Sequence, residues 1–520
     1  MIASLLCRRM ETSGAGAPPG SIASPHKRSR LSAQIRAGAP QGTPMATPLD
    51  RNVERLTQQS IPRSLLTLSS PIVLANLLVM SLQLVNTFWL GQVGARAVAA
   101  ASAAFPMVFL LLSVGNGFSA AGSILVSHHA GARDQRMVNH ITTQTLLMIT
   151  TLALALAVVG YIVAPALLRG MGIGPDVIED AQIYLRISFL GAPFSFVFAL
   201  FQAILRSVGE IRAPLYLAAI STAANLILAP LLIFGWGEVP ALGVAGAACA
   251  TLLAQGLATV FGLHLLFSGR VGVHIRRADL PPDPAVIKRV LLLGTPACLE
   301  QSMQALGIAA LTALVAGFGT VAVAAYGIGY RLFVSMLIPA YGISMATMTL
   351  VGHNFGAGDP QRARAVALAC SRISFYLLCG IGVLVIAGAN PLLRLLAPHD
   401  PELQALGADA VRIMVLAFAP LGIQMGLVGA LRGAGDTVLP MTLSFVGTWF
   451  VQLPLAWIIS KHTFLGVAGL WWCYPLNNLL LTTILVLRFR YGRWHNSSLT
   501  AIRRRPRADA MAAANDEAGY

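Results

Sequence analysis

Nearly all of the twenty acidic side chains in this 520-residue chain lie in terminal stretches or short polar connections; Glu300 alone sits well inside an apolar run. Measured from Arg289, Glu300 is ~16 Å along a helix, near the middle of a ~30 Å hydrocarbon layer. An ionised carboxylate there costs several kcal/mol unless it is paired or hydrated. Two roles suit it: a coupling site that takes up and releases H⁺ or Na⁺, or one half of a structural pair with a membrane arginine. Arg331, in the next apolar run, is the expected partner. The roles are compatible, because a pair that breaks on protonation is itself a coupling device.

Uncharged polar side chains also interrupt the apolar runs. Asn76, Gln83, Asn86, Asn116, Gln202 and Asn225 do so in the first half, and Gln301, Gln304, Tyr326, Gln424, Asn477 and Asn478 in the second. Polar groups in lipid face the bundle interior, where they bridge helices or line a cavity. The expected ion or substrate cavity therefore draws on Gln83, Asn86, Asn225, Gln301, Gln304, Tyr326, Arg331 and Gln424. Phe333, Met336 and Met345 would suit an apolar cradle or plain packing. His128 and His353 close two apolar segments, as pH sensors or as ordinary interfacial histidines.

Other chemistries lack their motifs. GxxxxGK[ST], GxSxG and HExxH are all absent, so neither ATP-driven work nor hydrolysis is expected. The six cysteines show no CxxC spacing, and five fall in apolar segments, as small packed hydrophobes do. No enzyme activity, cofactor or metal is expected.

The elements that would position these residues are written twice. Pro71, Gly94, Val98–Ala100, His128, Gly131-Ala132 and Asp134 recur 225 positions later as Pro296, Gly319, Val323–Ala325, His353, Gly356-Ala357 and Asp359. LRSVGEIRAP (205–214) and LRGAGDTVLP (431–440) match at an offset of 226, which one inserted residue explains. A constant offset over this distance marks a duplicated unit. Glu300 has no counterpart in the first copy.

The chain is 56% hydrophobic and 11% charged, with a mean hydropathy of +0.71, against about 25% charge in soluble domains. It is read as an integral membrane protein. Its net charge of +16 comes from basic residues at segment ends and in the tails, as in loops facing anionic lipid; nucleic-acid binding is not expected. Apolar segments at about 67–91, 98–128, 141–168, 182–205, 213–235, 241–267, 290–317, 321–352, 366–396, 408–431, 439–460 and 464–488 predict twelve transmembrane helices. The expected fold is all-α, in two six-helix lobes, 62–267 and 287–490, joined by a linker at 268–286. Basic stretches 1–61 and 491–520 are expected to be disordered, and Met45 is a candidate start codon. Six helices per unit give both lobes one orientation, related by an axis along the membrane normal, with a cavity at their interface. Lys and Arg gather in the connections after even-numbered segments and in both tails, which predicts those connections and both termini to be cytoplasmic, in a plasma (inner) membrane. Asp134 and Asp359 are expected to cap the next helix. Arg206 and Arg432 are expected to brace turns with Glu210 and Asp436.

In combination these residues resemble the multidrug and toxic compound extrusion (MATE) transporters. The resemblance rests on G-A-x-D closing segments two and eight, LRGAGDTVLP after segment ten, and NLILAPLLIFGWGEVPALGVAGAACAT at 225–251, and it spans about residues 62–490. It implies export of organic, often cationic compounds in exchange for H⁺ or Na⁺, by a protein expected to be monomeric. Two family acids are missing: Asn86 stands where many members carry an Asp, and Ala229 replaces a second Asp four residues after Asn225. Glu300 matches the second-lobe acid in kind. A lipid-linked precursor flippase and a non-transporting membrane scaffold are the alternatives.

Overall fold

A computed structural model describes residues 48–171, 174–237, 240–396, 400–463 and 465–491. The tail expectations for 1–47 and 492–520 lie outside the described residues. After a short helix, α1 (Pro48–Gln58), the first lobe holds α2 (Ile61–Val93), α3 (Ala95–Gly131), α4 (Gln135–Gly170), α5 (Pro175–Leu190), α6 (Ala192–Ser207), α7 (Arg212–Phe234) and α8 (Val244–Ser268). The second holds α9 (Pro284–Ala316), α10 (Thr320–Ala357), α11 (Pro360–Leu396), α12 (Pro401–Val415) and α13 (Phe418–Gly433). It ends with α14 (Val438–Val446), a π turn (Gly447–Gln452), α15 (Leu453–His462) and α16 (Val467–Tyr491).

Ten helices among the described residues are long and apolar enough to span a bilayer, with α14 to α15 counted as one. The remaining two spans are broken pairs: α5 and α6 meet at 50°, and α12 and α13 at 45°. The segments expected as single helices at 182–205 and 408–431 are therefore each broken within their length. The breaks fall at Gly191 and Ala417, equivalent positions of the repeat. Pro193 and Pro420 follow within three residues, and each removes an amide from the helical ladder. Large apolar side chains such as Val158, Ile162, Ile227, Val260, Val383 and Leu384 stand exposed along the helices, as a lipid-facing surface requires.

Pro48–Gln58 corrects the expectation of disorder up to residue 61. Leu49, Val53 and Leu56 recur at helical spacing and are all buried, the first two within the first-lobe core and the third in a cluster with Ile343 and Phe355 of α10. That amphipathic stripe makes a helix worth folding, and it lies across both lobes.

The lobes meet through α2 against α10 and through α3 against both α9 and α10. Glycines permit the approach. A Cβ on Gly131 would lie 2.1 Å from the His353 carbonyl oxygen, and one on Gly356 2.0 Å from that of His128. Gly117 faces Cys298, Gly352 faces Ser127, and Gly342 faces Val73. These contacts gather toward the end that carries the connections 131–135, 207–212, 268–284, 357–360 and 433–438, here called the basic end. Residues 113–131 of α3 and 340–356 of α10 are mostly buried, while 95–112 and 320–339 are mostly half-buried or exposed. The lobes are thus closed on one another at the basic end and form a cleft toward the other.

Gly356→Ala is expected to prop the basic end apart, since the obstructing atom is backbone and cannot swing aside. A cysteine placed at Ser127 should then react several-fold faster with a water-soluble maleimide, whereas Gly380→Ala, where a Cβ meets nothing within 4 Å, should leave the rate unchanged.

Candidate ion and substrate site

Glu300 is 4% exposed on α9. Its partner is not Arg331 but Arg432: the guanidinium Nη2 donates to Oε2 at 2.7 Å, and the Ser444 hydroxyl donates to Oε1 at 3.1 Å. This corrects two expectations together. Arg432 does not brace its turn with Asp436, because its side chain reaches back into the lobe; Asp436 instead accepts from the Leu439 amide. In the first lobe Arg206 donates to Gln202, and Glu210 accepts from the Arg212 and Ala213 amides. Helix periodicity places residues along one segment but says nothing of which neighbouring segment lies alongside, so the longer-range partner was hidden.

The depth of the pair also differs from expectation. Arg432 is in the last turn of α13, and Ser444 lies only ~9 Å into α14 at 1.5 Å per residue. Glu300 therefore sits toward the basic end of its lobe. Tyr341 of α10 also lies within electrostatic reach of both Arg432 and Glu300.

Immediately toward the cleft is a cavity of about 170 Å³ within the second lobe. Gln304, one turn beyond Glu300, lines it with Gln424, Ser444, Tyr341, Asn477 and Asn478, and Phe333 contributes apolar wall. The expected Gln304 and Gln424 are thus brought together. Gln301 is half-buried and does not line this cavity. Tyr326 is buried behind it, its hydroxyl 2.9 Å from that of Tyr474 and its ring stacked on Trp471. Met336 and Met345 pack in the core. The oxygens of Gln424 and Asn477 (Oε1 and Oδ1) are buried without a hydrogen-bond partner. Ser444 and Tyr341 were not singled out by sequence; isolated Ser and Tyr in apolar helices carry no signal of their own.

In the first lobe, Asn86 and Asn225 do converge. Their Nδ2 atoms both donate to the Thr251 hydroxyl, at 3.3 and 3.1 Å, leaving both Oδ1 atoms buried and unpartnered. Ala229 is fully buried beside them on α7. Gln83 is exposed on α2 and is not part of this pair.

The two histidines have matched roles. His128 Nε2 lies 2.7 Å from the Gly433 carbonyl of the other lobe, and His353 Nε2 lies 2.6 Å from that of Ser207. Ser207 and Gly433 are equivalent ends of α6 and α13, so each histidine holds the opposite lobe by the same helix terminus. Asp134 and Asp359 accept from the Met137 and Arg362 amides, as expected of caps. His140 bridges Asp279 and Asp283 of the linker, and its hydrogen bond holds the Asp283 carboxyl below its ordinary pKa.

The sequence model of the MatE family matches residues 71–231 and 296–458, more than half of the chain. The chain belongs to the MATE family. This MATE protein is 30% identical over 437 residues to a probable multidrug resistance protein NorM of Deinococcus radiodurans, covering 82% of the chain and 95% of that protein. It is 27% identical to the probable multidrug resistance protein YoeA of Bacillus subtilis (86% and 97% covered), and 28% identical to an FAD transporter of Shewanella oneidensis (82% and 94%). Its fold matches a crystal structure of MATE in the straight conformation with a TM-score of 0.80, at 22% identity, over 85% of this chain and 97% of that one. It also matches a transporter from Pyrococcus furiosus, described as having a binding pocket of reverse polarity, with a TM-score of 0.79 at 22% identity, over the same shares. The chain is a membrane transporter and not an enzyme.

Removing one member of a buried ion pair strands the other, at a cost of about 3–5 kcal/mol. The two members are unequally buried: the Glu300 side chain is 5% exposed and that of Arg432 32%. Arg432→Gln, which strands the carboxylate, is therefore expected to lower the melting temperature in detergent more than Glu300→Gln does. The double variant should recover much of the loss.

Proposed function

We propose that this MATE transporter exports small organic compounds in exchange for a cation, H⁺ in preference to Na⁺, by alternate opening of the two lobes. The observation that carries the reading is Glu300, a carboxylate buried in an apolar helix and held by Arg432 and by Ser444, the latter of which also lines the cavity. A proton taken by the carboxylate cancels the charge that holds the guanidinium. Arg432 is next to Gly433, whose carbonyl receives His128 from the first lobe, so release of Arg432 loosens the helix end on which basic-end closure depends. Cargo and cation then favour different states, which is the requirement for coupled exchange. H⁺ is preferred because the carboxylate has only the Ser444 hydroxyl as a further oxygen within hydrogen-bond reach among the described residues, whereas metal cations take several oxygen ligands. With the basic connections on the cytoplasmic side of a plasma membrane, as the distribution of Lys and Arg supports, the cleft faces outward and both termini are cytoplasmic. The names of the relatives support drug or cofactor export as the cargo class.

Proteoliposomes loaded with candidate solutes and given an imposed pH or Na⁺ gradient test the coupling. Wild type is expected to respond to a pH gradient, and Glu300→Gln to lose the response at least ~10-fold while still binding solute. Transport that persists in the variant with the same gradient dependence would place the coupling elsewhere.

A further inference from the structure

The charges facing the cleft do not suit the organic cation that the family resemblance implies. Every residue lining the second-lobe cavity is uncharged. Glu300 is answered by Arg432, and in the first lobe Asn86 and Ala229 occupy the positions where acids are expected. A cation entering the cleft meets no free counter-charge on these walls.

An anion does. Arg331 is exposed and has no hydrogen-bond or ion-pair partner for its side chain among the described residues. It lies ~17 Å along α10 from Thr320, within the apolar layer. A lipid-facing guanidinium at that depth is costly, and its register says that it does not face lipid. Val334, three residues on, lines the second-lobe cavity, and beyond Pro339 Gly342 lies against Val73 of the first lobe. Arg331 therefore faces the cleft where the lobes have parted, and the charge stands at that cavity's rim. On α2, Leu77 and Leu84 share the Val73 face and are exposed, which makes the opposite wall apolar.

We propose that the cargo is an amphipathic organic anion. Its acid group pairs with Arg331, whose planar fork fits a carboxylate, phosphate or sulfonate in two parallel hydrogen bonds. Its apolar body lies against Leu77 and Leu84. Other polar groups on it face the carboxamides of Gln304, Gln424 and Asn478 in the cavity wall. This rests on the reading of the chain as a solute exporter but is independent of which cation drives it.

The test compares carboxyfluorescein, an anion, with ethidium, a cation, in proteoliposomes and in equilibrium binding to purified protein. Wild type is expected to move and bind carboxyfluorescein at least ~10-fold better than ethidium. Arg331→Gln should lower both by ~10-fold or more, Arg331→Lys should retain part, and Arg331→Glu should reverse the preference. The Lys variant decides if the uncharged one fails to fold. A preference for ethidium in wild type, or carboxyfluorescein handling unchanged in Arg331→Gln, overturns the proposal. If neither dye is transported, the binding arm still decides it, while the exporter reading is what has failed. Loss of Arg331-dependent anion transport only when the pH gradient is removed would uphold both readings.

Discussion

A carboxylate in an apolar helix obliges the surrounding structure to answer it. Here the answer is a guanidinium from the end of α13 and a hydroxyl from α14, which together leave Glu300 almost without contact to solvent. The choice of Arg432 matters because of where that residue sits. Its neighbour Gly433 supplies the carbonyl that His128 grips from the other lobe, so one helix terminus carries both the partner of Glu300 and a contact of the seam between lobes. The ion pair and this contact of the seam thus rest on adjacent residues of one helix end.

The seam itself depends on close backbone approach. In lipid there is no hydrophobic gain in bringing two apolar helices together, so packing of small residues and interhelical hydrogen bonds must hold them. Gly131 and Gly356 lie over the carbonyls of His353 and His128, and the two imidazoles reach equivalent helix ends on opposite sides. The duplicated sequence thus becomes a duplicated clasp. Beyond it the far halves of α3 and α10 part, and the cleft they leave is lined by carboxamides, hydroxyls and aromatic rings rather than by acids.

The loss of first-lobe acids has a structural sequel. Asn86, at one of the two positions where an acid was expected, converges with Asn225, and both give an amide hydrogen to Thr251 while their carbonyl oxygens stay unpartnered. Uncharged Asn86 and Ala229, a Glu300 answered by Arg432, and an Arg331 without a partner among the described residues alter the charges at the cleft and leave the fold as it is. Fold and cargo are separable in this way because the packing of helices is set by small residues and apolar faces, while the field is set by a handful of side chains.

The membrane location, the two-lobe duplication, the positions of the spans and the isolation of Glu300 were all legible from residue order, because each depends on local composition or on a constant offset along the chain. The sequence also resembled its family strongly enough to imply the fold. Partnership was another matter. Glu300 is 31 residues from Arg331 and 132 from Arg432, and only the packing of α9 against α14, with α13 alongside, brings the more distant arginine within reach. The bends at Gly191 and Ala417, the helical Pro48–Gln58 strap and the contributions of Ser444 and Tyr341 likewise depend on neighbours distant in sequence. A residue's periodicity says which face of its own helix it occupies; only the tertiary structure decides what that face meets.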